Sequence, residues 1–157
     1  MKTSHFTKFF ALFIALCLTL ALVACKTSVS ATYAVGTGDK IKVSLDTQTG
    51  FRLDSSDSYT VSRDGVEYLE GTFGIADTYK VYAAYIAEDD AVELLEEGEK
   101  DGNPYLFYNV PASEMGGDEY DYIVKIAGSE TCAVLCSVYS EEGAREAFNA
   151  LSFEAVP

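Results

Sequence analysis

Two cysteines, Cys132 and Cys136, stand four residues apart in SETCAVLCSVY, a stretch that is apolar at most positions. Thiols at that spacing suggest a disulfide, a metal site or redox chemistry. The local pattern argues against the first. ETCAVLCSVY reads as a strand, and four strand residues at about 3.3 Å each hold the α-carbons roughly 13 Å apart. A disulfide needs them within about 7 Å. A CxxxC pair without further cysteine or histidine is also short of the four ligands of a structural zinc site. Buried free thiols acting as small hydrophobes fit best. No metal ligand set and no cofactor follow from these residues.

Carboxylates are the other candidates. The chain has 25 acidic and 11 basic side chains, a formal charge of -14. Hydrolysis by paired carboxylates needs two on one face with one of them in an apolar setting. Glu67 and Glu70 lie in strand context, but their odd separation puts them on opposite faces unless a bulge intervenes, for instance at Gly71. EDD and EEGEKD would bind cations only loosely. The calcium-loop, GxSxG, Walker and strand-GxGxxG-helix patterns are absent. The 11 tyrosines, with no tryptophan, suit half-exposed strands, because a tyrosine ring buries its body and keeps its hydroxyl wet. They also suit a surface for a protein, peptide or glycan. Tyr105, Tyr108, Tyr120 and Tyr122, flanking the acidic PASEMGGDEYDY segment, are the candidates for that surface.

Where these groups would work is set by the first 25 residues. MKTSHFTKFF carries Lys2 and Lys8 and no acid, and Ala11 to Ala24 is a 14-residue run without charge. A basic stretch followed by an apolar run shorter than the roughly 20 residues of a bilayer span is the pattern of a secretion signal. LVAC, Leu22 to Cys25, resembles the lipobox of bacterial lipoprotein signal peptides. That resemblance implies cleavage before Cys25 and a diacylglycerol with fatty acyl (palmitate-type) chains on its sulfur. Two or three chains would hold the protein on a bilayer, whereas one binds only marginally. The implied location is the extracytoplasmic face of a bacterial cell envelope, on the cell membrane of a one-membrane bacterium or the outer membrane of a two-membrane one.

The same resemblance divides the chain into a leader at 1–24, the lipidated cysteine and a short tether at 25–38, and a single domain at 39–157. The sole histidine, His5, leaves with the leader, which excludes Ser-His-Asp, Cys-His and HExxH sets. Without Lys2 and Lys8 the 11 basic side chains become 9 against 25 acids, a charge of about −16. Such a surface repels nucleic acid and anionic lipid, so the bilayer contact is the acyl group.

The elements that must position the candidates follow from periodicity. KIKVSLD alternates, with Ile41, Val43 and Leu45 on one side, as a strand covered on one face. Asp64-Gly65 is a hairpin turn between YTVS and VEYLEGTF. TYKVYAAYIA is apolar on both alternating faces and reads as a central strand, while EDDAVELLEEGEKDG reads as a short helix ended by Gly98, or a turn. PYLFYNV returns to strand. EYDYIVKIA and ETCAVLCSVY pair as a hairpin about Gly128-Ser129. SEEGAREAFNALSF is an amphipathic helix capped by Ser140, with Glu141 and Glu142 in its first turn, and LSFEAV closes as a short strand.

Together these predict an α+β domain: a twisted, mainly antiparallel sheet of about six to seven strands covered by one or two helices. The order of hairpins and the closing SETCAVLCSVYSEEGAREAFNALSFEAV are similar to small PsbP/Mog1-like extracytoplasmic lipoproteins, which implies an αβα sandwich. A β-sandwich or a lipocalin-like barrel with a C-terminal helix is the other architecture in view. The expected function is a membrane-anchored, non-catalytic binding or accessory module. The alternatives are a carboxylate-dependent hydrolase of an envelope or extracellular substrate, and a purely structural lipoprotein.

Overall fold

A computed structural model describes residues 28–55, 58–112 and 117–157. Cys25 and the LVAC stretch lie outside them. Ten strands and two helices follow in order: β1 (Ser28–Ala34), β2 (Lys40–Asp46), β3 (Arg52–Asp54), β4 (Tyr59–Arg63), β5 (Val66–Ile75), α1 (Asp77–Glu88), β6 (Glu93–Lys100), β7 (Asn103–Val110), β8 (Glu119–Lys125), β9 (Thr131–Cys136), α2 (Glu141–Ala150) and β10 (Leu151–Val156). Ser28–Ala34, read from the sequence as tether, is therefore an edge strand.

Seven strands form one sheet in the order β3-β4-β5-β9-β8-β7-β6, and three form a second in the order β1-β2-β10. Every pairing is antiparallel. The large sheet is two meanders, β3–β5 and β6–β9, joined where β5 meets β9. Helix α1 links β5 near the middle of the sheet to β6 at its far edge, so it crosses one face. The linear order leaves two edges, which rules out a closed barrel for this sheet. The protein is a mixed α+β fold with helices on opposite faces of a large antiparallel sheet.

The alternations of β2 and the terminal helix behave as expected. Ile41, Val43 and Leu45 are fully buried, and so are Ala144, Ala147 and Phe148 of α2. Ser140 Oγ accepts from the Gly143 amide at 3.0 Å and caps α2. Together with β10, these groups cover one face of the large sheet in the principal core. The opposite face packs Leu106, Tyr108, Ile123 and Cys132 against Ile86, Tyr79, Tyr82 and Ala83 of α1 in a smaller core.

Two elements depart from the sequence reading, and they exchange roles. TYKVYAAYIA is helical, within α1. Its outward positions are themselves apolar, Val81 at 65% exposed and Tyr85 at 40%. A helix whose exposed positions are mostly apolar has only a weak polar stripe, and its residues alternate as well as those of a buried strand. The run expected to be helical is instead β6, paired with β7 through Asp101-Gly102 at φ +55° and +81°. That is the same dipeptide chemistry as Asp64-Gly65 at φ +55° and +79°, both residues taking the left-handed conformation of a two-residue hairpin turn. Gly71 marks a close approach: a Cβ there would lie 2.1 Å from the Tyr59 ring.

Candidate functional site

The four tyrosines proposed as a surface do not form one. On β7 and β8 the alternation puts Tyr105, Tyr120 and Tyr122 on the face under α2 and Tyr108 on the face under α1. Both faces are covered, so Tyr108 is only 1% exposed and Tyr122 2%. Tyr122 stacks between Phe107 and Phe148, with ring centroids at 4.2 and 3.9 Å. Tyr105 is half-buried beside Phe148 and donates to Glu96, which also pairs with Arg145. Tyr120 packs against the same core. Tyr122 and Tyr108 are core residues.

A different set is brought together by register. Residues opposite one another on neighbouring strands point to the same face, so a row of partners crosses the sheet. Leu94 of β6 pairs with Tyr108 of β7, and Tyr108 with Asp121 of β8. The β8–β9 pairing ends at Tyr122 opposite Leu135, which sets Asp121 beside Cys136, and Cys136 pairs with Glu70 of β5. Glu119, two residues before Asp121 on the same face, completes the group. Ligand atoms of Glu119, Asp121 and Cys136 all lie within 4.8 Å of one another. The Cys136 thiol donates to Glu119 Oε2 at 4.0 Å. Tyr82 of α1 packs on Tyr108, with ring centroids 6.0 Å apart, so the group sits at the margin of the helix cover.

Burial governs the ionisation of this group. Taking Asp121 out of water raises its carboxyl from 3.8 to about 6; the nearby Cys136 thiol pulls it back and Glu119 pushes it further up. Burial, together with Asp121 and Glu119, pushes the Cys136 thiol up to about 12. The Tyr108 phenol is raised well above its ordinary range, first by burial and then by Asp121. Neither its hydroxyl nor Asp121 Oδ1 has a partner in good hydrogen-bond geometry, although the two side chains are close enough to influence each other. A buried polar atom left unpaired costs about 1–3 kcal/mol, and here two such atoms belong to one register pair.

The rest of the surface offers less. Glu67 and Glu70 share a face after all: Tyr68 is an extra residue opposite β4, so Glu67 faces Ser62 and Glu70 faces Thr60. Both are exposed and flank a shallow cleft of about 300 Å³ that reaches Cys136. A larger cleft of about 530 Å³ is lined by Asp39, Lys80, Lys125 and Glu130. Two of its carboxylates are occupied: Asp39 Oδ2 accepts from the Thr131 hydroxyl and the Glu130 amide, both at 2.9 Å, and Asp77, also in the lining, pairs with Lys80 at 2.9 Å. The two free thiols differ. Cys132 is fully buried and donates to the Ile75 carbonyl at 3.2 Å, while Cys136 is half-buried in the polar group.

Chemically, the arrangement offers a thiol, two carboxylates and a phenol that converge from three adjacent strands. The thiol is protonated at neutral pH and is therefore a poor nucleophile. What the group supplies is a set of sulfur and oxygen atoms close to one another, of which Asp121 Oδ1 and the Tyr108 hydroxyl are unpaired. Sequence alternation already put Asp121 on one face of its strand and Cys136 on one face of the next. Extending the pairing outward from the Gly128-Ser129 turn is the step that joins them. No protein-family model matches the chain, and no curated protein is significantly similar to it.

Proposed function

We propose that the protein is a membrane-anchored extracytoplasmic module that binds rather than catalyses, with the Glu119–Asp121–Cys136 group as its binding centre. The observation that carries this reading is the unpaired state of the Tyr108 hydroxyl and Asp121 Oδ1 inside the fold. Atoms buried without partners are costly unless a ligand or ordered water meets them. Hydrolysis by paired carboxylates asks for a cleft with one acid raised and a second held ionised opposite it. Asp121 alone among the described carboxylates is raised to about 6, and it is crowded by a protonated thiol rather than facing an open cleft. The α+β sheet with helices on opposite faces is compatible with a PsbP/Mog1-like architecture, a fold that would imply an accessory role and no reaction.

Anchoring rests on the basic start, the uncharged run and LVAC. The test is fractionation of the native protein with mass spectrometry of its N-terminal peptide. The expected result is membrane association with a diacylglycerol on Cys25, and release of the chain from the membrane by Cys25→Ala. A free Cys25 thiol on a chain that retains residues 1–24 would overturn the anchored reading.

A further inference from the structure

The structure assigns to Glu119, Asp121 and Cys136 a binding site for one thiophilic divalent cation of the zinc class, with Tyr108 as the donor that orients Asp121. This deepens the binding reading above by naming the ligand of the same centre.

Three observations converge on it. The sulfur of Cys136 and the carboxylate oxygens of Glu119 and Asp121 lie within 4.8 Å of one another, so modest side-chain rotations bring them onto one ion. The mixture of one sulfur and two carboxylates selects among metals: calcium and magnesium take oxygen-only shells, whereas zinc accepts Cys sulfur and Asp or Glu oxygen together. Tyr108, 99% buried and opposite Asp121 in register, holds its hydroxyl without a partner. A carboxylate that gives one oxygen to a metal commonly takes a hydrogen bond on the other, and a buried phenol beside it supplies that bond. The other buried hydroxyls without a partner in good geometry among the described residues, those of Tyr33 and Tyr59, belong to rings packed on Phe73 and Phe153. Among the described residues no other group of three such ligands occurs.

Binding is a substitution without redox change. The S–H bond of Cys136 breaks, its proton leaves to the buffer, and a sulfur–metal bond forms. The position of Glu119 at the exposed rim and of Asp121 half-buried behind it gives the ion an entry path from solvent.

The test uses the full chain with Zn²⁺ in calorimetry and Co²⁺ as the optical probe. The expected result is one equivalent of metal, proton release on binding, and a thiolate-to-cobalt charge-transfer band in the near ultraviolet. Cys136→Ser abolishes the band, Tyr108→Phe weakens zinc binding by about tenfold or more, and Cys132→Ser keeps the band. Glu119→Gln, at an exposed position, tests the site without risk to the core and is expected to weaken zinc. Absence of the cobalt band from the folded protein would overturn the assignment, as would zinc affinity unchanged in both Cys136→Ser and Glu119→Gln. Neither result alters membrane partition of the chain, so failure of the metal site is distinguishable from failure of the anchored reading.

Discussion

On the side of the seven-stranded sheet that meets α2, Phe107, Tyr122 and Phe148 stack in one column, and the charges around them are paired. Arg145 lies 4.4 Å over the Phe107 ring and bridges Glu96 and Glu141. Lys100 Nζ donates to the carbonyls of Phe148 and Asn149 at 2.6 and 2.8 Å, closing the C-terminal end of α2. On the side that meets α1, the same strands present a smaller core that includes Tyr108, with Asp121 and Cys136 half-buried beside it. The strands are shared, so the difference comes from what covers them. A second sheet and an amphipathic helix complete the first face. A single helix, α1, covers part of the second, with Tyr82 packed on Tyr108. The larger core lies on one side and the proposed binding centre on the other.

That contrast has measurable consequences. Phe148→Ala removes the centre of the stacked column and is expected to destabilise the fold by about 3–5 kcal/mol, read from denaturant unfolding. A loss below about 1 kcal/mol would mean that the α2 face is not the stabilising one.

Asp121→Asn acts through pH. The folded carboxyl titrates at about 6 against an ordinary 3.8, so the folded state holds the proton more tightly. Its contribution is present below pH 4 and is lost as pH rises from about 4 through 6. At pH 7 the wild type therefore bears a buried charge that the variant lacks. The stability of Asp121→Asn relative to wild type should rise by about 2 kcal/mol between pH 4 and pH 7 without metal. A pH-independent difference would place Asp121 in water. Ser140→Ala, which removes only the α2 cap, is expected to cost about 1 kcal/mol, with the same value at both pH extremes.

Much of the fold was legible because several segments carry consistent local signals. KIKVSLD, the Asp64-Gly65 hairpin, the Gly128-Ser129 hairpin and the capped terminal helix each combine periodicity with the right turn or cap residue. The exchange of α1 and β6 shows where such signals run out. TYKVYAAYIA has only a weak polar face to set its period, and only its length and alanines favour a helix. GEKDGNPY carried the Asp-Gly turn that identifies β6, but the Leu94-Leu95 pair suggested a helical face. The register shift there, with Leu95 extra, explains why strict alternation fails.

The candidate centre was half visible. The alternation of EYDYIVKIA and ETCAVLCSVY gives Asp121 and Cys136 a face each, while their adjacency needs the register of two strands. The tyrosine surface failed for a related reason: alternation assigns a face, but whether that face is covered depends on α1 and the small sheet, which lie far away in sequence.

The claim that the α1 side of the sheet holds a half-buried acid with one unpaired oxygen is tested most directly by following the Asp121 side-chain carboxyl in the metal-free protein by NMR as pH is varied. The account predicts a titration midpoint of about 6, moving to lower pH when zinc is present. A midpoint below 4, unmoved by zinc, would show a carboxyl already solvated or paired, and would contradict the binding centre at its source.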